Sequence, residues 1–302
     1  MDSSVNRWLR IILLGGFSAL FLVALILSPS LLTIALAVIL LAGIALTLTR
    51  EFTSLSKPLT IPYQEVLAFL LGVVVTFGLH VVFSWPVVLA SAVVGLVGFV
   101  LLKEYATALF AGSFLGMSDV LLLSEGWLVL ASVIAVIAYF IFKPVLIGFG
   151  GKLGWVAWMG SVSVFLIRFE SFEAAARIAF DPLIFFSGVI LFGLATFWLK
   201  NHRLLDAVAA SAILGLVLGG IEGTVVAGLS VYVIPWYGAT FVGMSSNDRF
   251  HSKSLIIALL LYGTLFYLIH PYYPLTGGKL GALSFVSTLV VWGTLQLFKK
   301  KP

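Results

Sequence analysis

The sequence predicts an all-α polytopic membrane protein with about twelve transmembrane helices, within a range of ten to twelve. Three observations carry that prediction. Of the 302 residues, 62% are hydrophobic and only 10% charged, and the mean hydropathy is +1.19. A soluble globular chain carries roughly 45–50% apolar and about 25% charged residues, so no water-soluble core could hide this much apolar surface. The apolar runs are also long and unalternated, as in "LLTIALAVILLAGIALTLT" over 31–49. Barrel strands need only about 9–11 residues of alternating polarity. Finally, the chain repeats itself, and the repeat organises the spans.

Taken in order, and at about 20 apolar residues per crossing, the expected spans are 8–28, 31–49, 66–85, 87–102, 105–123, 127–143, 150–167, 183–199, 205–221, 224–245, 254–270 and 280–298. The first is read as a retained helix rather than a signal peptide, because the apolar run is long, a second span follows after "SPS" and no small-x-small cleavage site is convincing. The spans 105–123, with Gly112, Gly116 and Asp119, and 224–245, with Pro235, Gly238 and Gly243, contain helix-weakening residues and are expected to be broken or re-entrant. Trp8, Trp85, Trp127 and Trp236 fall near span ends, where interfacial anchors belong.

Charge orders the spans across the bilayer. With the N-terminus in the cytoplasm and all twelve crossing, 14 lysines and arginines lie inside, and three (Arg168, Arg177 and Lys279) lie outside. If 105–123 and 224–245 do not cross, the split weakens to 12 against 5. The positive-inside rule therefore favours twelve spans, with both termini cytoplasmic, in a plasma (bacterial inner) membrane. The net charge of +5 is accounted for by those loops, so the expected surroundings are the lipid bilayer and not a nucleic acid. The chain has no cysteine, which excludes disulfides, thiol catalysis and thiolate metal sites.

The pentapeptide "GGKLG" occurs at 150–154 and again at 277–281, an offset of 127. The same offset aligns "FLGMS" (114–118) with "FVGMS" (241–245), and Lys143-Pro144 with His270-Pro271. Upstream the offset is 120, aligning "ASAVVGLV" (90–97) with "ASAILGLV" (210–217) and "TFGL" (76–79) with "TFWL" (196–199). An insertion near "GGIEGTV" (219–225) accounts for the difference of seven. The expected organisation is 1–60 as two leading helices and a cytoplasmic loop, 61–180 as repeat one and 181–302 as repeat two, in one membrane domain. Five spans per repeat is an odd number, so the halves would be inverted copies about a pseudo-two-fold axis in the membrane plane, a plan common among secondary transporters. With four spans each the halves would be parallel.

Within the repeats, identities gather in F-x-G-M-S and G-G-K-L-G, while the helix between them keeps only its apolar character. Gly116 and Gly243 permit a close backbone approach or a helix break, and Ser118 and Ser245 then offer hydroxyls within the membrane. The same residues also fit plain helix packing, with each serine bonded back to its own helix. Gly150, Gly151, Gly277 and Gly278 precede helices whose N-termini attract anions, and Lys152 and Lys279 add a full charge there. A glycine turn with a snorkelling lysine is the structural alternative. Asp119, Glu104, Glu222, His80 and His270 complete the intramembrane ionisable candidates, with Asp119 foremost for its place beside F-x-G-M-S.

No catalytic motif is present, and no cofactor or metal is implied. "GFGGKLG" (148–154) has the glycines of a phosphate loop, but no strand precedes it and no Ser or Thr follows its lysine. The expected function is secondary active transport of a small polar or anionic solute by alternating access, not enzymatic. A passive channel or a non-catalytic membrane subunit are the alternatives, and a homo-oligomer is compatible with either.

Overall fold

The structure is a computed structural model and describes residues 3–27, 29–124, 126–168, 174–202, 205–222 and 228–298. Arg203, Lys299, Lys300, Lys301 and positions 223–225 of the inserted stretch lie outside the described residues. The described residues form twelve α-helices and one 3-10 turn at 54–56. The helices are α1 (Ser3–Ile26), α2 (Leu31–Arg50), α3 (Tyr63–Val81), α4 (Val87–Leu101), α5 (Ala106–Gly116), α6 (Trp127–Phe142), α7 (Lys152–Arg168), α8 (Pro182–Asn201), α9 (Ala207–Glu222), α10 (Ser230–Gly243), α11 (Ser252–Ile269) and α12 (Lys279–Leu295). Five of them (α1, α2, α3, α8 and α11) are long and apolar enough to cross a bilayer. The fold is that of a helical membrane protein.

Local chemistry sets many boundaries. Ser30 caps α2 in a reciprocal box with Thr33. Asp181 accepts from the backbone N–H groups of Leu183 and Ile184 at 2.9 and 3.0 Å, and Pro182 supplies the first helical residue of α8. The expected span 105–123 is a helix only over 106–116. At about 1.5 Å per residue it is roughly 16 Å long, half a hydrocarbon core. Its apolar continuation, 117–124, is a turn packed under the protein, with Leu122 and Leu123 buried. Likewise 224–245 is helical from Ser230, and its first residues lie outside the described set.

Contacts at the helix ends show that successive helices run in alternating directions. One end of the bundle joins the start of α1 to the end of α6, through Arg10 Nε to Ile141 O at 2.7 Å. It also joins the start of α3 to the end of α6 through Glu65 and Lys143, and the residue after α2 to the loop before α11 through Glu51 and Arg249 at 2.8 Å. The opposite end joins Arg168, closing α7, to Leu122 O at 2.6 Å, and the segment before α8 to the end of α11.

The packing is paired. In the first half α3 packs on α5 and α6 on α7; in the second α8 packs on α10 and α11 on α12. The halves meet where α4 packs on α9 and where α7 crosses α12. The leading pair breaks the pattern: α2 lies along α12, where a Cβ on Gly43 would stand 2.7 Å from the Val290 Cα. Thr47 Oγ1 donates to Leu289 O at 2.6 Å on the same seam.

Candidate functional site

The two sequence blocks meet each other, each across to the opposite half. Ser118 Oγ accepts the Gly277 N–H at 2.9 Å, and Ser245 Oγ accepts the Gly150 N–H at 3.0 Å. One residue on, Asp119 N donates to Leu275 O at 3.0 Å and Ser246 N to Gly148 O at 2.9 Å. All four contacts obey the 127-residue offset. Each short helix, α5 or α10, thus ends against the backbone that launches the other half's last helix.

Each glycine and lysine of G-G-K-L-G has a geometric role. A side chain on Gly150 or Gly277 would collide with the last carbonyls of α10 or α5, including Val242 O at 2.7 Å and Leu115 O at 2.8 Å. Gly151 and Gly278 each have φ +83°, the left-handed region that glycine enters freely. The same region is visited at Leu146 and Gly148, and at their equivalents Tyr273 and Leu275, so both loops share one backbone path. Gly154 and Gly281 lie at the crossing of α7 and α12: a Cβ on either would stand 2.6–2.7 Å from the other's Cα. Residues equivalent to each other touching in this way mark where a two-fold axis would pass.

The lysines face backwards. Lys152 Nζ donates to Phe142 O, Lys143 O and Val145 O at 2.7–3.2 Å, and Lys279 Nζ to His270 O, Tyr272 O and Tyr273 O at 2.9–3.3 Å. Three donors meet three carbonyls at the end of the preceding helix, where the dipole is negative. The charge that is unfavourable at the start of α7 or α12 is favourable at the end of α6 or α11.

In F-x-G-M-S, a Cβ on Gly116 would lie 2.8 Å from the Thr76 Cβ, and one on Gly243 would lie 2.7 Å from the Thr196 Cβ. The glycines therefore seat α5 on α3 and α10 on α8. Phe114 and Phe241 pack on each other with centroids 4.6 Å apart. Beside them runs a buried hydroxyl chain, Ser113 to Ser91 at 2.9 Å and Ser91 to Tyr237 at 3.3 Å, matched in the other half by Ser211 and Thr240 at 2.7 Å.

Two cavities flank this junction. The larger, about 370 Å³, lies between α5, α10, α11 and the start of α12. Phe114, Phe241, Phe266, Phe180 and Pro235 form much of its apolar wall, and His80, Asp119, His270 and Lys279 are its charged or titratable groups. The smaller, about 160 Å³, is lined by Glu65, Glu104, Thr107, Tyr139, Lys143 and Lys152 among others. Five of its residues (Thr107, Tyr139, Lys143, Lys152 and Leu153) correspond by the 127 offset to Ile234, Phe266, His270, Lys279 and Leu280 of the larger one. The cavities are therefore equivalent places in the two halves, differently shaped.

Of the candidates read from sequence, Asp119, Gly277, Gly278, Lys279, His80 and His270 come together in the larger cavity, and Lys152 and Glu104 in the smaller. Ser118, Ser245, Gly116, Gly243, Gly150 and Gly151 line neither and build the junction between them. Asp119 also accepts from Leu121 N at 2.8 Å. Glu222 stands at the end of α9 and lines neither cavity. Sequence reasoning missed Glu65, whose partners Tyr139 and Lys143 are more than 70 residues away. Phe114 and Phe241 could have been found, since each opens its F-x-G-M-S block. Among the described residues no group of three or more His, Asp or Glu could hold a metal ion. Comparison with protein-family models, curated proteins and solved structures returns no match.

Proposed function

We propose that the chain is a secondary transporter of a small polar or anionic solute, working by alternating access between two inverted five-helix repeats, α3–α7 and α8–α12. The observation that carries this reading is the pair of unequal cavities at equivalent positions. A transporter must open one path from either side in turn, and two copies of one element in different conformations supply that directly. An odd number of alternating helices per copy supports inversion, as do the reciprocal serine–glycine contacts and the Gly154–Gly281 crossing.

Arg10, Lys143 and Arg249, which the sequence assigns to the inside, make the contacts at one end of the bundle, and Arg168, assigned to the outside, makes them at the other, while Lys152 and Lys279 begin the two helices that cross at Gly154 and Gly281. On that ground both termini are cytoplasmic in a plasma (bacterial inner) membrane, all twelve helices count as spans with α5 and α10 as interrupted ones, and the larger cavity faces outward. Three basic or imidazole side chains against one carboxylate, around an aromatic body, favour an organic anion. The Lys279 ammonium has its hydrogen bonds taken, yet its field still acts on the cavity. The packed Phe114 and Phe241 rings in the wall of the larger cavity favour a closed path over an open pore.

The test is reconstitution. Purified protein is first screened for thermal stabilisation by small organic anions, amino acids and cations, because a ligand stabilises the state it binds. Uptake of the stabilising compound into proteoliposomes is then followed. Saturable uptake that is stimulated by unlabelled solute on the far side supports the reading. Flux that rises linearly with concentration and shows no counterflow favours the channel instead.

A further inference from the structure

The segment 174–181 crosses the mouth of the larger cavity without regular secondary structure, and two of its residues, Ile178 and Phe180, line it. Three hydrogen bonds hold this strap: Ala175 N to Pro271 O at 2.8 Å, Ile178 N to His270 Nε2 at 3.1 Å and Asp181 N to the Tyr232 hydroxyl at 2.9 Å. The middle bond fixes the state of the imidazole. A backbone N–H can only donate, so Nε2 is unprotonated. The other nitrogen, Nδ1, lies 3.0 Å from Tyr267 O, which can only accept. His270 is therefore neutral, with its proton on Nδ1, and both nitrogens are in use.

We propose that His270 is the proton-binding residue of the larger cavity and that protonating it releases the 174–181 strap from the mouth. A proton on Nε2 turns the acceptor of Ile178 N into a donor, and the bond is lost. The new imidazolium also meets two cations, Arg177 on the strap and Lys279 at the start of α12. The remaining titratable groups around it are Tyr267 on α11, Tyr232 on α10, His80 in the last turn of α3, Asp119 beyond α5 and Asp181 at the strap's end. Asp119 and His80 line the same cavity. Phe180 and Phe266 flank the ring at 5.5 and 5.7 Å between centroids.

The sign follows from linkage. The Ile178 bond needs the neutral imidazole, and the Lys279 and Arg177 charges stand near the proton's site. Closure is therefore complete above the ordinary imidazole value of about 6.5 and is lost as pH falls below it. Within that window the closed-to-open ratio falls about tenfold per pH unit. In the setting of the proposed transport reading, on which this inference rests for its purpose, the proton would be the coupled ion.

The chain has no cysteine, so Met117→Cys, in the cavity wall, can be labelled with a membrane-impermeant thiol reagent. Leu121→Cys, exposed at the same end, corrects for the reagent's own pH dependence. The corrected Met117→Cys rate is expected to rise about tenfold between about pH 7.5 and 5.5, the range that brackets the ordinary imidazole value. With His270→Gln, whose amide can donate to Tyr267 O and accept from Ile178 N, the rate should be slow at both pH values. With His270→Lys, charged and unable to accept, it should be fast at both. Undiminished pH dependence in folded His270→Gln overturns the proposal. So does a corrected wild-type rate that does not change with pH. Labelling needs no solute, so these outcomes leave the transport reading standing; pH-gated labelling without saturable uptake would overturn that reading alone.

Discussion

The two cavities occupy equivalent places and are closed by opposite chemistry. In the smaller one, Glu65 from the start of α3 holds Lys143 at the end of α6, with Glu65 Oε2 at 2.6 Å from Lys143 Nζ and 3.3 Å from the Tyr139 hydroxyl. By the offsets of 120 and 127, the corresponding residues of the larger cavity's side are Phe185, His270 and Phe266. There the rings of Phe185 and Phe266 stack at 6.1 Å, and Phe180 packs on both. One half closes the seam between its first and fourth helices with an ion pair, the other with aromatic packing. A partly exposed ion pair is readily exchanged for water and screened by salt. Buried aromatic contact is not. One backbone plan can thus be given two different opening thresholds by three side chains.

The largest effects should come from what both sides share. Gly154→Leu and Gly281→Leu each force a side chain into the opposite helix backbone, where no rotamer relieves the overlap. Each is expected to destabilise by about 4 kcal/mol or more, read as loss of monodisperse protein on size exclusion. If either is tolerated, the crossing is not the shared pivot. Next come the changes that separate the two seams. Phe185→Ala empties a fully buried site and should destabilise by about 3–5 kcal/mol, with no dependence on salt. Glu65→Gln, which leaves Lys143 able to reach water, should destabilise by about 1–3 kcal/mol. For the wild type, salt should mimic part of the Glu65→Gln effect. Thermal melts at low and high ionic strength measure the contrast; equal salt responses in both variants would erase it.

Smaller still are the reciprocal hydroxyls. Ser118→Ala and Ser245→Ala each leave one glycine N–H without its acceptor, and each should lower stability by about 1–2 kcal/mol. Similar values support equivalent roles. A loss confined to one serine would make the pairing incidental. The smallest effect concerns the segment before α3, which Glu51 ties to Arg249 at 2.8 Å. Burial alone would raise the Glu51 carboxyl, but the Arg249 and Ser54 hydrogen bonds, with the Arg249 and Lys57 charges, hold it below the ordinary value of 4.5. Its stabilisation, about 1 kcal/mol or less, is present above about 4.5 and lost as pH falls through the lower folded value. The strap before α8 should respond nearer the ordinary imidazole value of about 6.5. Acid titration of the melting temperature should therefore resolve two steps, and Glu51→Gln should remove only the lower one.

Much of this was legible in the letters, for reasons the geometry makes plain. A bilayer demands apolar runs with satisfied backbones, so twelve helices were predicted, most with ends within a few residues of those found. The blocks F-x-G-M-S and G-G-K-L-G stood out because nearly every position in them meets a backbone requirement, whether a positive φ, a Cα-to-Cα approach or an amide to be accepted. The helix between them, α6 against α11, meets demands that many apolar residues can satisfy, and its letters differ. That 105–123 is interrupted was legible from Gly112, Gly116 and Asp119, and α5 does end at Gly116, but the turn beyond it was not, because "LLL" at 121–123 is as apolar as a helix. Nor were the partners. Lysines placed before helices pointed to an anion, and nothing local told that each would reach back to three carbonyls of the preceding helix end. Glu65 with Lys143 and His270 with Ile178 are joined only by the fold.

On the proposed reading the two cavities are one site's two faces, opening to opposite sides. Thr107 and Ile234 are equivalent residues, one in each cavity wall. Thr107→Cys and Ile234→Cys, each as the only cysteine, can be exposed in oriented membranes to an impermeant thiol reagent from one side at a time. Ile234→Cys should be modified from the outside and Thr107→Cys from the cytoplasmic side. Modification of both from the same side would contradict that reading.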